Sequence, residues 1–187
     1  MSKKSYISFH GEINTENATK LIFYCDNLMR EGTEHIYISI SSRGGYVDSE
    51  LHLYNTLRAM DVEITMHNTG SVKSAGMLVF LAADNRFASE NSRFLIHQPV
   101  RKYIGDPKSY DARDLSEHAQ LLENDMLHEK KILLQHTKAT KKDINSWHKN
   151  TKVFTPAEAK KYGIISEVRE FVVPKRDKIF TVATTTL

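Results

Sequence analysis

From residue 5 to residue 97 one pattern recurs along the chain: a short run of alternating apolar and polar residues, a turn, then apolar residues three and four apart. Strict alternation buries one face of a strand, and the longer period buries one face of a helix. Successive strand–helix–strand units of this kind join parallel strands by helical crossovers. Tyr6 to Phe9 alternates, Asn14 is placed to cap a helix with the stripe Ala18, Leu21, Ile22, Cys25, Leu28 and Met29, and Ile36, Ile38 and Ile40 follow with Tyr37 and Ser39 between them. A second unit runs from the turn Ser42-Arg43-Gly44-Gly45 through a helix bearing Val47, Leu51, Tyr54 and Leu57 to a strand with Val62, Ile64 and Met66. A third starts at a predicted turn, Asn68-Thr69-Gly70-Ser71, leads into a short apolar helix near Ser74, and ends in strands at Arg86 to Ala88 and Arg93 to His97. The fold class is α/β, and in open parallel sheets the C-terminal strand edge is where ligands bind.

The pattern then changes. From about Pro107 to Thr137 it predicts one long helix with an apolar seam of Leu115, Ala119, Leu122, Met126 and Leu133 and a second row of Leu121, Leu127 and Leu134. That is more apolar surface than a solvent-facing helix needs, which points to packing on another subunit, with an ordinary helix on its own sheet as the alternative the pattern leaves open. Thr155-Pro156-Ala157-Glu158 reads as a capping box with proline at the first helical position, and Gly163 closes that helix. A last strand is expected within Ile164 to Val173, and the tail from about 174 to 187 carries no packing signal and is expected to be mobile.

A chain of 187 residues, 40% hydrophobic, suits one domain spanning 1–187. Its 26 basic and 23 acidic residues are mixed along the sequence, with no basic stripe to track a phosphate backbone, so nucleic acid is not an expected partner. The lone Cys25 falls on a helical stripe as a small buried hydrophobe. No secretion signal is evident, and the longest apolar run, Ala75 to Ala83, is about half the ~20 residues that cross a bilayer. The expectation is a cytoplasmic protein without membrane partners, cofactor or metal, since the histidines show no ligand spacing.

Ser74 stands at a strand-to-helix turn between Gly70 and Gly76, where a side-chain oxygen projects over the sheet edge beside exposed backbone N–H groups. Taken alone it is equally a helix cap. His97 ends a strand that Pro99 stops, which sets its imidazole at the same edge. Gly44-Gly45 gives a turn with free N–H groups, as an oxyanion hole requires, or simply a tight connection.

Together these segments resemble the proteolytic subunit of the ATP-dependent Clp protease. Tyr37 to Gly45 is similar to that family's strand and double-glycine turn, Gly70 to Gly76 to its nucleophile segment, and Asn91 to Pro99 to its base segment; Pro156-Ala157-Glu158-Ala159 with Tyr162-Gly163 matches its late helix. The resemblance implies a ClpP/crotonase-type spiral of βαβ units with a protruding handle helix at about 100–137. It implies a serine endopeptidase with Ser74 as nucleophile, His97 as general base, and the N–H groups of Gly45 and Ala75 as oxyanion donors. It further implies peptides or unfolded proteins as substrates, and a homo-oligomer of heptameric rings that stack into a tetradecamer in the family.

The chain departs from that pattern at three places. The family's third catalytic residue, an aspartate, falls at Thr151 or its neighbour Asn150, neither of them acidic; Asp143 or an acid from a neighbouring subunit is a substitute the sequence leaves open. Only about five residues precede Tyr6, where the family has a gate that engages an AAA+ ATPase unfoldase, which weighs against that partner. Arg43 takes the place of the family's turn proline, and Arg101-Lys102-Tyr103-Ile104-Gly105 lacks most glycines of its substrate-aligning strand. Two further readings stay open: a catalytically silent ring subunit, favoured by Thr151, and an acyl-CoA enzyme of crotonase type, which leaves Ser74 and His97 without a purpose.

Overall fold

The first alternating run forms β1 (Lys4–His10), whose apolar side chains Ile7 and Phe9 are fully buried. The structure, a computed structural model, describes residues 3–101, 111–175 and 177–183. Helix α1 (Thr15–Arg30) follows; the Asn14 side chain accepts from the Asn17 N–H and satisfies one of the free donors of the first turn. Its stripe of Ala18, Leu21, Cys25 and Leu28 is buried, and burial pushes the Cys25 thiol up to about 12.

Strand β2 (His35–Ser42) pairs parallel with β1, then α2 (Val47–Ala59) crosses to β3 (Glu63–Lys73), which pairs parallel with β2. Helix α3 (Ala75–Leu81) is buried at every residue, and β4 (Asn85–Ala88) and β5 (Arg93–Ile96) come next. Long α4 (Ala112–His136) starts at an Asp111/Asp114 capping box, and α5 (Lys141–Asn150), β6 (Lys152–Phe154), α6 (Pro156–Lys161), β7 (Glu167–Val168) and β8 (Ile179–Ala183) complete the chain. The sheet runs β6-β5-β3-β2-β1-β8, with β4 pairing β3 and β7; β6 alone is antiparallel among the described strands.

Several expectations need correction. Residues Asn68 to Ser71 form no turn: β3 runs through them, exchanging partners from β4 at Asn68 to β5 at Ser71. The polar side chains that suggested a turn brace this exchange instead. Asn68 donates through Nδ2 to the Arg93 carbonyl and accepts the Gly70 N–H at Oδ1, while the Ser71 N–H donates to Ser41 Oγ. The strand expected within Ile164 to Val173 shrinks to two residues, because Ile164 and Ile165 are buried in a loop and Phe171 lies against Tyr6, Tyr37 and His67.

Part of the tail read as lacking a packing signal is a strand. β8 pairs parallel with β1 from Ile179 to Ala183, and Val182 is buried. The segment 138–155, left without elements, holds α5 and β6. Its helix begins at a Thr140/Asp143 capping box and buries Ile144 and Trp147, spaced three apart. In α4 only the last turns enter the core, through Ile132 and Leu133, whereas Leu115, Leu121 and Leu127 are exposed. The first predicted turn of that helix, 107–110, and the stretch 102–105 lie outside the described residues, as do 184–187.

One side chain ties the far end of the sheet to the helices behind it. Arg86 donates to four carbonyls: Ala83 at 2.5 Å, Ile164 at 2.8 Å, His136 at 2.9 Å and Gly163 at 3.2 Å. The His136 carbonyl ends α4 and has no intrahelical partner, and those of Ala83, Gly163 and Ile164 lie in the segments that follow α3 and α6. Desolvation lowers the Arg86 pKa, but a guanidinium stays charged, and its planar fork reaches several acceptors at once. Arg86→Ala strands those carbonyls and is expected to cost about 3 kcal/mol, a fall in melting temperature of roughly 6–12 °C. Arg86→Lys should recover only part of it, and calorimetry of the three proteins checks both values.

Candidate active site

Three chain segments converge at the C-terminal edge of the sheet. The segment after β1 meets the turn after β2 through a parallel bridge, in which the Ile13 N–H donates to the Gly44 carbonyl and the Tyr46 N–H donates to the Ile13 carbonyl, both at 2.8 Å. In that geometry the Gly45 N–H points away from Ile13, toward the Ser74 side. A Cβ on Gly45 would stand 2.0 Å from the Ile13 oxygen, and one on Gly44, which has φ +97°, would stand 2.8 Å from Ser74 Cβ and 3.4 Å from the Ala75 nitrogen. Only glycines let the turn come this close. The Gly44 N–H is occupied by Ser42 Oγ at 3.2 Å.

Ser74 has φ 51° and ψ −127°, a left-handed conformation that a residue with a Cβ adopts at a cost. It is locked there by two bonds: its N–H donates to the Leu95 carbonyl at 2.9 Å, and its carbonyl accepts from the Met77 N–H at 2.7 Å. The side chain makes no cap bond to α3. The structural alternative of a capping serine is therefore not what the hydroxyl does. Ala75 opens the helix, so its N–H lacks an intrahelical acceptor and lies beside the Gly44-Gly45 turn.

His97 follows β5 and is half-buried. Its Nδ1 lies 2.7 Å from the carbonyl oxygen of Gln98. A carbonyl can only accept, so Nδ1 carries a proton, which in the neutral ring leaves the lone pair on Nε2, the tautomer a general base needs. Antiparallel pairing of β5 with β6 ends where Ile96 meets Lys152, and His97 and Thr151 are the next residue beyond it on each segment. Thr151 itself has φ 50°. Among the described residues neither Thr151 nor Asn150 hydrogen-bonds His97, Asp143 is engaged in capping α5 through Thr140, and no hydrogen bond joins Ser74 to His97.

Gly45, Ser74, Ala75 and His97 line one cleft of about 260 Å³, with Val47, Pro99 and Val100 among its apolar walls. Sequence reasoning missed the rest of the lining. Glu12, Glu50, Asp125 and Glu129 all face this cleft, and Glu50, Asp125 and Glu129 are buried. Burial, then the nearby charges of Glu129 and Asp125, push the Glu50 carboxyl well above the usual carboxylate range. A signal existed: Glu50 is three residues after Val47 and four before Tyr54, on the buried stripe of α2, and Asp125 and Glu129 sit one turn apart near Met126 and Leu133.

The Clp protease family model matches residues 1–171. Similar proteins include an ATP-dependent Clp protease proteolytic subunit 2 of Frankia casuarinae, 34% identical over 71% of this chain and 60% of that one. An ATP-dependent Clp protease proteolytic subunit 1 of Leifsonia xyli is 30% identical over 90% of this chain and 84% of its own. A solved structure of a ClpP1 mutant from Listeria monocytogenes superposes with a TM-score of 0.79 at 26% identity, covering 89% of this chain and 91% of that one. The eight-stranded sheet and its helical crossovers have the ClpP fold.

The strain at residue 74 is measurable. Ser74→Gly, free to adopt φ 51°, is expected to be more stable than Ser74→Ala by about 1 kcal/mol, although glycine is the weaker residue elsewhere. Denaturant titrations of the two variants give the difference directly.

Proposed function

Since the chain belongs to the Clp protease family, we propose that it is a serine-type endopeptidase hydrolysing peptides and unfolded proteins inside a ring-shaped homo-oligomer. The observation that carries this reading is the left-handed Ser74, held at the head of α3 in one cleft with His97 and the Gly44-Gly45 turn. Ser74 Oγ attacks the substrate carbonyl while His97 Nε2 accepts its proton. The N–H groups of Gly45 and Ala75 hold the oxyanion that forms. When the tetrahedral intermediate collapses, the peptide C–N bond breaks, the leaving amine takes the proton from His97, and the acyl group remains on Ser74. Water, deprotonated by His97, then releases the second product and restores the serine.

The Gln98 carbonyl orients the imidazole but carries no full charge, so it stabilises imidazolium less than a carboxylate would. The second reading, a catalytically silent subunit that assembles with an active paralogue, draws its support from this same feature and from Thr151 at the acid's position. The exposed Leu115, Leu121 and Leu127 of α4 support burial against another copy, as in stacked heptameric rings. A cytoplasmic location belongs to the same proposal; no helix among the described residues is long and apolar enough to cross a membrane.

Hydrolysis of a fluorogenic peptide and of unfolded casein is expected from the native chain and lost in Ser74→Ala and His97→Ala. Supplying the carboxylate with Thr151→Asp should raise kcat by about tenfold or more, since loss of that group from a serine protease costs up to ~10⁴. A folded native chain without turnover, and a Thr151→Asp variant equally inert, would favour the silent subunit.

A further inference from the structure

The carboxylates around the cleft are not equally compensated. Glu12 pairs with Arg43 at 3.5 Å, and Asp125 takes two bonds from Arg101, at 2.6 and 3.0 Å, with Asp48 a further 3.7 Å from the same guanidinium. Glu129 has, among the described residues, only the His148 imidazole, at 3.5 Å. Glu50 has neither hydrogen bond nor ion pair through its carboxyl among the described residues, although it is 6% exposed and lines the cleft. Buried carboxylates are ordinarily paired, because the charge loses its water and gains nothing in return. A carboxyl in that position is free to take a partner from whatever enters the cleft.

The walls fit one kind of partner. Val47, Pro99 and Val100 give the cleft apolar lining against which a hydrocarbon stem can lie, and the carboxyls of Glu50 and Glu129 line the same cleft. Lysine and arginine have this form, an aliphatic stem tipped by a cation. A bare metal ion suits the cleft less, since no group of three ligands among the described residues is placed to hold one.

We infer that the cleft beside Ser74 selects a basic side chain, lysine or arginine, on the residue whose carbonyl Ser74 attacks, with Glu50 receiving the cation and Glu129 supporting it. This rests on the serine-peptidase reading for the identity of that residue, but the charge preference belongs to the cleft and does not require turnover. The same carboxyls turn away acidic side chains by repulsion. An apolar side chain of equal length lies against the same lining but leaves Glu50 uncompensated, which is the larger discrimination.

The test is binding to the full-length Ser74→Ala chain, measured by calorimetry with two acetylated tripeptides, Ala-Ala-Lys and Ala-Ala-norleucine. The lysine peptide is expected to bind about tenfold tighter or more, and the isosteric Glu50→Gln change to bring the two within about twofold, as for loss of one partner of a desolvated charge pair. Glu129→Gln should narrow the gap less. Equal or weaker binding of the lysine peptide with Glu50 intact, or a preference that survives Glu50→Gln, overturns the inference. The two readings fail separately: a native chain that cleaves norleucine and lysine substrates alike keeps the peptidase reading and loses this one. An inert native chain whose Ser74→Ala form still prefers lysine through Glu50 keeps this one alone.

Discussion

No side chain fits between the turn after β2 and the two segments beside it. Gly45 presses on the Ile13 backbone and Gly44 on Ser74, with Cβ positions 2.0 and 2.8 Å from their nearest neighbours. The backbone bonds from Ile13 and Tyr46 hold the turn on one side, and the bond from the Ser74 N–H to Leu95 holds the serine on the other. The separation between the Gly45 backbone and the Ser74 Cα is thereby set by main-chain contacts. Rigid placement of this kind is what an oxyanion site requires, since its donors must stand where charge develops before it does. The left-handed Ser74 is the local cost, met by the surrounding sheet and a wholly buried α3.

The opposite wall of the cleft has another character. Helix α4 anchors its last turns in the core through Ile132 and Leu133, with its C-terminal carbonyl at His136 held by Arg86. One and two turns earlier it brings Glu129 and Asp125 against α2 and Glu50. Arg101 compensates one of these acids and His148 lies near a second. The wall that carries Ser74 is built from backbone and fixed in space, whereas the facing wall is built from charged side chains.

The parallel α/β units were legible because burial on a sheet imposes its period on the sequence: Ile36, Ile38 and Ile40 alternate and are all buried, and Asn14 and Thr155 cap the helices they were expected to cap. Ser74, His97 and the Gly44-Gly45 turn stood out from their local sequence and Ala75 came only with the family resemblance, and the fold brings Gly45, Ser74, Ala75 and His97 to one cleft. The failures share a cause, since tertiary contact decided where local chemistry pointed elsewhere. Asn68 to Ser71 have turn composition, yet pairing with β2 and β4 at Asn68 and with β5 at Ser71 carries the strand through them. Ile179 to Ala183 carry a strand's pattern only weakly and become one because β1 offers an open edge. Glu50 stands on an apolar stripe, where a carboxylate is read as an interruption until α4 is seen across from it.

The central claim is that this arrangement makes the Ser74 oxygen chemically reactive without a carboxylate behind His97. Intact mass of the full-length chain after exposure to a fluorophosphonate tests that most directly. The account predicts one adduct per chain, mapping to Ser74, absent from Ser74→Ala and much slower to form in His97→Ala. A folded, assembled native chain that takes up no label would contradict it and leave the silent subunit as the reading of this fold.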